Sequence, residues 1–254
     1  MSKISDFIIL ENKNIAKNVF ELKLKGDTSL IKNPGQFVNI AIDNFYLRRP
    51  ISICDYDDET IVLIYKVVGN GTKELAKKKV NEKLNILYPL GNGFDIEKST
   101  LSPVLIGGGV GVPPLIGLAR ALIKKFIYPQ FVMGFNTQDE VFGVDLLKNL
   151  GIVPYIVTLD GSLGYKGLVT DVLDKISFDY IFTCGPEPML KAFIMLMEMD
   201  NLVLSREWHV DLVDVWVVLV RLNTVINVSA KKVRFYLRRR YYGRYKGEFE
   251  RSYI

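Results

Sequence analysis

The chain has 254 residues, 49% of them apolar, enough for one large domain or two small ones with a real core. No apolar run reaches the roughly 18 residues of a membrane span, and the N-terminus MSKISDFIILENKN has neither the apolar region nor the cleavage site of a secretory signal. The net charge is +5, but residues 231–254 carry nine Lys/Arg against two Glu, so the other 230 residues sit near −2 and only the tail argues for nucleic acid or an anionic surface.

Residues 1–98 read as short strands. ISDFIILENKNI, NVFELKLKG, QFVNIAI, ISICDY and TIVLIYKVVG are rich in β-branched and aromatic residues, several with alternation. KGDTS, NPGQ, DYDDET, GNGT and PLGNG separate them as turns. Five or six strands at this spacing predict an antiparallel β-barrel. The rhythm changes near Thr100. PVLIGGG is a buried strand entering a glycine turn, and PPLIGLARALIKK has helical periodicity. FVMGF, PYIVTLDG, YIFTCG and LVLS read as further strands, with DEVFGVDLLKNLG and EPMLKAFIMLMEMD as helices. Strand and helix alternate through residues 99–205, which predicts a doubly wound α/β domain around a parallel sheet. Residues 206–254 form an atypical basic tail, expected to be irregular. The two cysteines, Cys54 and Cys184, form no disulfide framework and fit a reducing cytoplasm.

Four motifs can carry chemistry, and each also has a plain structural reading. LRRPISI, Leu47–Ile53, puts two arginines before a strand. Arg suits bidentate phosphate recognition and Ser adds a hydroxyl; solvated arginines at an edge strand are the bland alternative. GNGTKEL, Gly69–Leu75, is a glycine turn into a helix with Thr72 as expected N-cap. Its open N–H groups can hold a phosphate, or it is simply a capped surface helix. GGGVGVPP, Gly107–Pro114, follows a strand and opens a helix, so its backbone can approach a pyrophosphate; its spacing is not G-x-G-x-x-G, and an ordinary tight turn remains open. CGPEPML, Cys184–Leu190, ends a later strand where open α/β sheets bind ligands, or is a βα turn with a small buried thiol.

RRPIS, IYKVVGNGT, PLGNGF, GGGVGVPPL and CGPEPMLKA occur in this order. In that order they resemble the electron-transfer subunit of the bacterial NAD-dependent dihydroorotate dehydrogenase, within the ferredoxin reductase superfamily. The resemblance covers roughly residues 1–205. It implies an N-terminal FAD domain and an NAD domain after it. It places Arg49, Pro50, Ile51 and Ser52 along FAD, with the Arg facing its pyrophosphate. Ile64, Tyr65 and Lys66 would run beside the flavin and its ribityl chain, and Gly71 and Thr72 would hold FAD phosphate. Gly108, Gly109 and Gly111, with Cys184, Gly185 and Pro186, would form the nicotinamide side. No protein nucleophile is implied; the flavin exchanges a hydride with NAD. The implied partner is a catalytic subunit that oxidises dihydroorotate in pyrimidine synthesis, assembled as a heterotetramer. A related flavoprotein subunit, of an NADH-dependent ferredoxin oxidoreductase or sulfide dehydrogenase, is the alternative. A nucleic-acid-binding protein acting through the basic tail is a reading of another class.

The family also carries a 2Fe-2S cluster on a C-x4-C-x2-C segment plus a fourth Cys after the last strand. Here no cysteine follows Cys184, His209 is the single histidine, and Asp211 and Asp214 are poor cluster ligands. No metal site is therefore expected. The codons permitted under Arg206–Arg221 allow, in a shifted frame, the missing C-x4-C-x2-C spacing. A one- or two-base slip near Ser205 is the expectation for this tail; a divergent tail is the alternative.

Overall fold

The structure is a computed structural model that describes residues 2–99, 101–199, 209–212 and 233–236. Six antiparallel strands close the N-terminal barrel: β1 (Lys3–Ala16), β2 (Val19–Lys25), β3 (Phe37–Ile40), β4 (Arg49–Tyr56), β5 (Thr60–Lys66) and β6 (Lys83–Leu90). Their order around it is β1-β2-β5-β4-β3-β6, and β1 closes on β6. Alternation sets the inner face: Leu22, Leu24, Val38, Ile40, Leu84 and Ile86 are buried while their neighbours reach outward. Helix α1 (Asn70–Lys77) follows β5. It buries only Gly71 and Leu75, so it lies on the barrel wall.

The second domain is a sheet of order β10-β9-β8-β7-β11-β12-β13. Its strands are β7 (Pro103–Gly108), β8 (Gln130–Phe135), β9 (Tyr155–Thr158), β10 (Tyr165–Lys166), β11 (Tyr180–Cys184), β12 (His209–Leu212) and β13 (Val233–Tyr236). All pairings are parallel except β12 with β13. Both faces are covered, so successive residues of a strand enter different cores. Leu105, Phe131, Met133 and Phe182 join α2 (Val112–Ile123) and α3 (Val144–Asn149). Val104, Ile106, Val132 and Ile181 meet the 3-10 stretch Val169–Lys175 and Phe193 of α4 (Glu187–Met199).

The barrel and the sheet share one hydrophobic cluster. Val19, Cys54, Ile64 and Phe94 of the barrel half pack with Leu115, Leu118 and Phe182 of the other. Two ion pairs flank it: Arg120 Nη2 to Asp55 Oδ2 at 2.9 Å, and Lys66 Nζ to Glu140 Oε1 at 2.7 Å. The Lys17 N–H also donates to the Asp139 carbonyl at 2.8 Å.

Some local expectations change. DEVFGVDLLKNLG yields a 3-10 turn at Gln138–Glu140 and a helix only from Val144, because Gly143 takes φ +79° and breaks the run. Thr72 is not the N-cap of α1; Gly69 is. Thr72 stands at the third helical position, and its Oγ1 accepts from the Val68 and Gly69 N–H groups at 3.0 and 3.2 Å. This ties the entry of the chain as a reciprocal cap does. The sequence-predicted strand at Leu202–Ser205, the region of the frame argument outside β12 and β13, and most of the basic run lie outside the described residues.

Candidate functional site

The parallel sheet reverses direction of growth at β7. From there the chain builds β8 and β9 on one side, then returns to place β11 on the other. The carboxyl ends of β7 and β11 thus flank a topological switch point, where open α/β sheets bind ligands. The two motifs of this half end there side by side: Thr183 pairs with Ile106 and Cys184 with Gly107 in parallel register. Gly111 needs to be glycine, because a Cβ there would overlap the Cys184 carbonyl oxygen. The turn Gly109–Gly111 then feeds α2, with Pro113 and Pro114 in its first turn, where missing N–H groups cost little. Met189 closes over Gly108 and Gly185 from α4; Gly185 is half-buried and Pro186 exposed at the rim.

The barrel brings its own motifs toward this edge. Strand β5 touches the Gly109–Gly111 turn. Ile64 of β5 is buried in the shared cluster beside Val112 and Cys184. Tyr65 turns the other way, into the barrel core, where it stacks on Phe20 at 5.7 Å and donates its hydroxyl to Asn12 Oδ1 at 3.1 Å. Burial pushes its phenol up, so it stays protonated. Its side chain is thereby committed, and only its backbone can face a ligand. Lys66 is held by Glu140, which also accepts from Asn136 Nδ2 at 2.8 Å. Burial opposes the Glu140 charge, yet the Lys66 and Asn136 hydrogen bonds outweigh it and hold the carboxyl below its ordinary value.

The arginines of RRPIS separate by role. Arg48 is a strut: Nη1 donates to the Asn85 and Asn39 carbonyls at 3.0 and 3.3 Å, and Nη2 to Asn85 Oδ1 at 2.6 Å. Arg49 instead packs against the start of α1. A Cβ at Gly71 would overlap its guanidinium, so glycine there admits the charge. Its guanidinium also lies 4.9 Å from the Phe45 ring centroid and donates to the Leu47 carbonyl. An Arg charge and the open N–H groups of a helix start with no acidic residue in its first turn make an anion cradle. Pro50 pairs with Asn39 in β3, and Ile51 fills the barrel core. Ser52 is 7% exposed and its Oγ is buried without a hydrogen-bond partner. An orphaned hydroxyl costs about 1–3 kcal/mol, which a bound polar group would relieve.

The sites therefore form two sets, Arg49–Ser52–Gly71–Thr72 on the barrel and Gly108–Gly111 with Cys184–Pro186 on the sheet, joined through β5. Phe45 and Glu140 belong to this region and carry no sequence signal, and Glu140 is 74 residues from its partner; Met189 lies within the CGPEPML motif but is not among its expected site residues. The residues fit a flavin dinucleotide better than a metal. Among the described residues no group of three His, Cys, Asp or Glu side chains is gathered. A surface cavity of about 450 Å³ lies by the turn after β6, and one of about 410 Å³ borders Phe45 and the Glu74 and Lys78 side of α1.

Comparison with known proteins decides the family. The chain is 41% identical to the dihydroorotate dehydrogenase B (NAD(+)) electron transfer subunit of Fusobacterium nucleatum, over 79% of this chain and 83% of that one. The chain belongs to this family of electron transfer subunits. The Bacillus mycoides member is 43% identical over 76% of this chain and 78% of its own. No family model matches the chain. Among solved structures, an NADH-dependent reduced ferredoxin-NADP oxidoreductase studied for flavin-based electron bifurcation has a TM-score of 0.68 and 32% identity, covering 81% of this chain and 75% of that one. Phthalate dioxygenase reductase shares the fold at a TM-score of 0.64 and 17% identity, over 78% and 65% of the two chains. The barrel-plus-sheet architecture is the one these solved structures share with the chain.

Proposed function

We propose that this chain is a flavoprotein electron-transfer subunit that holds FAD along β4, β5 and α1 and exchanges a hydride with NAD(H) at the switch point. The observation that supports this reading is the contact of β5, the strand that leads into α1, with the Gly109–Gly111 turn of the sheet. When bound, FAD would supply the two-electron chemistry with nicotinamide. The chain's own residues do the rest. Arg49 and the α1 N-terminus would neutralise the pyrophosphate. Ser52 would spend its unpaired hydroxyl on a ring heteroatom. Gly71 and Thr72 would bring backbone close to phosphate. Gly108, Gly109 and Gly111, with Cys184, Gly185 and Pro186, would form a low wall that a flat ring can lie against. Ile64 and the apolar cluster behind it would exclude water.

The partner is a dihydroorotate-oxidising catalytic subunit, in keeping with the names of the relatives; a heterotetramer is the assembly proposed. The 32% identity to an NADH-dependent ferredoxin-NADP oxidoreductase supports a second reading, a flavin subunit of that kind. Residence in the cytoplasm is proposed because neither buried cysteine forms a disulfide. Among the described residues no helix is long and apolar enough to cross a membrane. The test is a titration of the purified chain with FAD, followed by NADH without oxygen. About one FAD per chain, bleached by NADH, is expected. A chain that binds no flavin overturns the reading, and copurification with a ferredoxin-reducing partner instead of a dihydroorotate-oxidising one moves it to the second.

A further inference from the structure

We infer that these 254 residues hold no iron–sulfur cluster and that hydride exchange with NAD(H) is complete without one, so the chain passes NADH electrons directly to a small soluble acceptor. This rests on the flavin reading above. A 2Fe-2S centre takes four thiolates, or two thiolates with two imidazoles. The chain has two cysteines and one histidine, short of either set. The cysteines it has are built into structure: Cys54 and Cys184 are each 1% exposed within the apolar cluster between barrel and sheet. Burial pushes the Cys54 thiol up, against the thiolate that a cluster requires. The family relatives leave about a fifth of this chain unmatched.

Those sites lie within the described barrel and sheet. The Arg49–Gly71 cradle, the orphaned Ser52 hydroxyl, the Gly111–Cys184 approach and the two ion pairs that join the halves all precede residue 200. The reaction balances without a cluster. NADH loses a hydride, which is two electrons and one proton. Two ferricyanide ions take one electron each, and the proton passes to water. What is lost is a protein-bound one-electron relay toward a partner subunit.

The full chain, purified and then incubated anaerobically with ferrous iron, sulfide and FAD and desalted, tests this. Iron, acid-labile sulfide and flavin are quantified, a spin-resonance spectrum is taken after dithionite, and NADH-driven ferricyanide reduction is followed. Flavin at about one per chain with iron far below the roughly two per chain of a cluster, no cluster spin signal, and turnover changed less than about twofold by an iron chelator are expected. About two irons per chain with a matching spin signal would overturn the inference while leaving the flavin reading intact. Flavin without NADH-driven turnover would overturn the claim of a complete hydride site. A colourless chain that takes up no FAD would overturn the flavin reading and this inference together. Gly111→Val is the control: it should keep its FAD and lose NADH dependence, and its FAD content shows whether it has folded.

Discussion

Arg48 and Arg49 are adjacent in the chain and part ways in the fold. Arg48 spends its donors on Asn39 and Asn85, so Arg48→Ala should lower stability by about 1–3 kcal/mol, read as a fall in melting temperature, with FAD affinity changed little. Arg49 sits over Gly71 and the α1 start. Arg49→Ala should weaken FAD binding by about 10- to 100-fold, the worth of a charge-assisted contact to phosphate, with little loss of melting temperature in the flavin-free chain. Fluorescence titration with FAD checks the first effect and thermal unfolding the second. An opposite assignment of the two arginines would move the cradle off α1. Gly111→Val meets the Cys184 carbonyl, so NADH affinity should fall by at least tenfold, measured by NADH titration.

Strand β5 is the element on which the halves meet. Ile64 enters the shared cluster, Tyr65 the barrel, and Lys66 reaches Glu140 across the domain boundary. The Lys66 and Glu140 side chains are 32% and 18% exposed, so the pair is only partly screened. Glu140→Gln should destabilise the joined halves by about 1 kcal/mol. The pH dependence has a definite sign. The Glu140 carboxyl is held below its ordinary 4.5, so its contribution is full above pH 4.5 and is lost as pH falls through the lower folded value. Thermal unfolding between neutral pH and pH 3 should show the wild-type advantage over Glu140→Gln shrinking on the acid side. A constant difference across that range would mean that the pair does not hold the halves together.

On the scale of the whole molecule, the barrel and parallel sheet of an electron transfer subunit are joined to a tail that contains no cysteine. Mixed with a catalytic partner subunit, this chain should give dihydroorotate-dependent NAD+ reduction at least about tenfold below its own NADH–ferricyanide rate, measured in one assay buffer. The proposed origin of the tail is a shift of reading frame near Ser205. Sequencing the coding DNA should find a base gained or lost there; an uninterrupted frame with the same tail in closely related genes would overturn it. The tail also carries the positive charge, nine Lys/Arg against two Glu in residues 231–254. The basic residues predict salt-sensitive retention on heparin, and restoring the frame should remove both the basic character and that retention.

The architecture was legible in the sequence because it is written in local signals. Alternation marked the barrel strands, and the buried runs PVLIGG and YIFTC marked the central parallel strands, since a strand covered on both faces must be apolar throughout. The absence of cluster ligands was legible too, because it is a matter of which side chains exist. Local signals failed where a distant partner decided the outcome. DEVFGVDLLKNLG has helical periodicity, yet Gly143 and the pinning of Asp139 and Glu140 to the barrel shorten the helix to Val144–Asn149. Thr72 looked like a cap and serves at the third helical position. The Tyr65 side chain packs into the barrel core, a placement that no local pattern states. The sequence alone determined which chemical groups the chain possesses and the order of its elements, because periodicity and composition are properties of neighbours. Only the tertiary structure decided which arginine faces α1, that Cys184 closes on Gly111, and that β5 touches the glycine turn, because contacts across tens of residues depend on how two separately legible domains pack together.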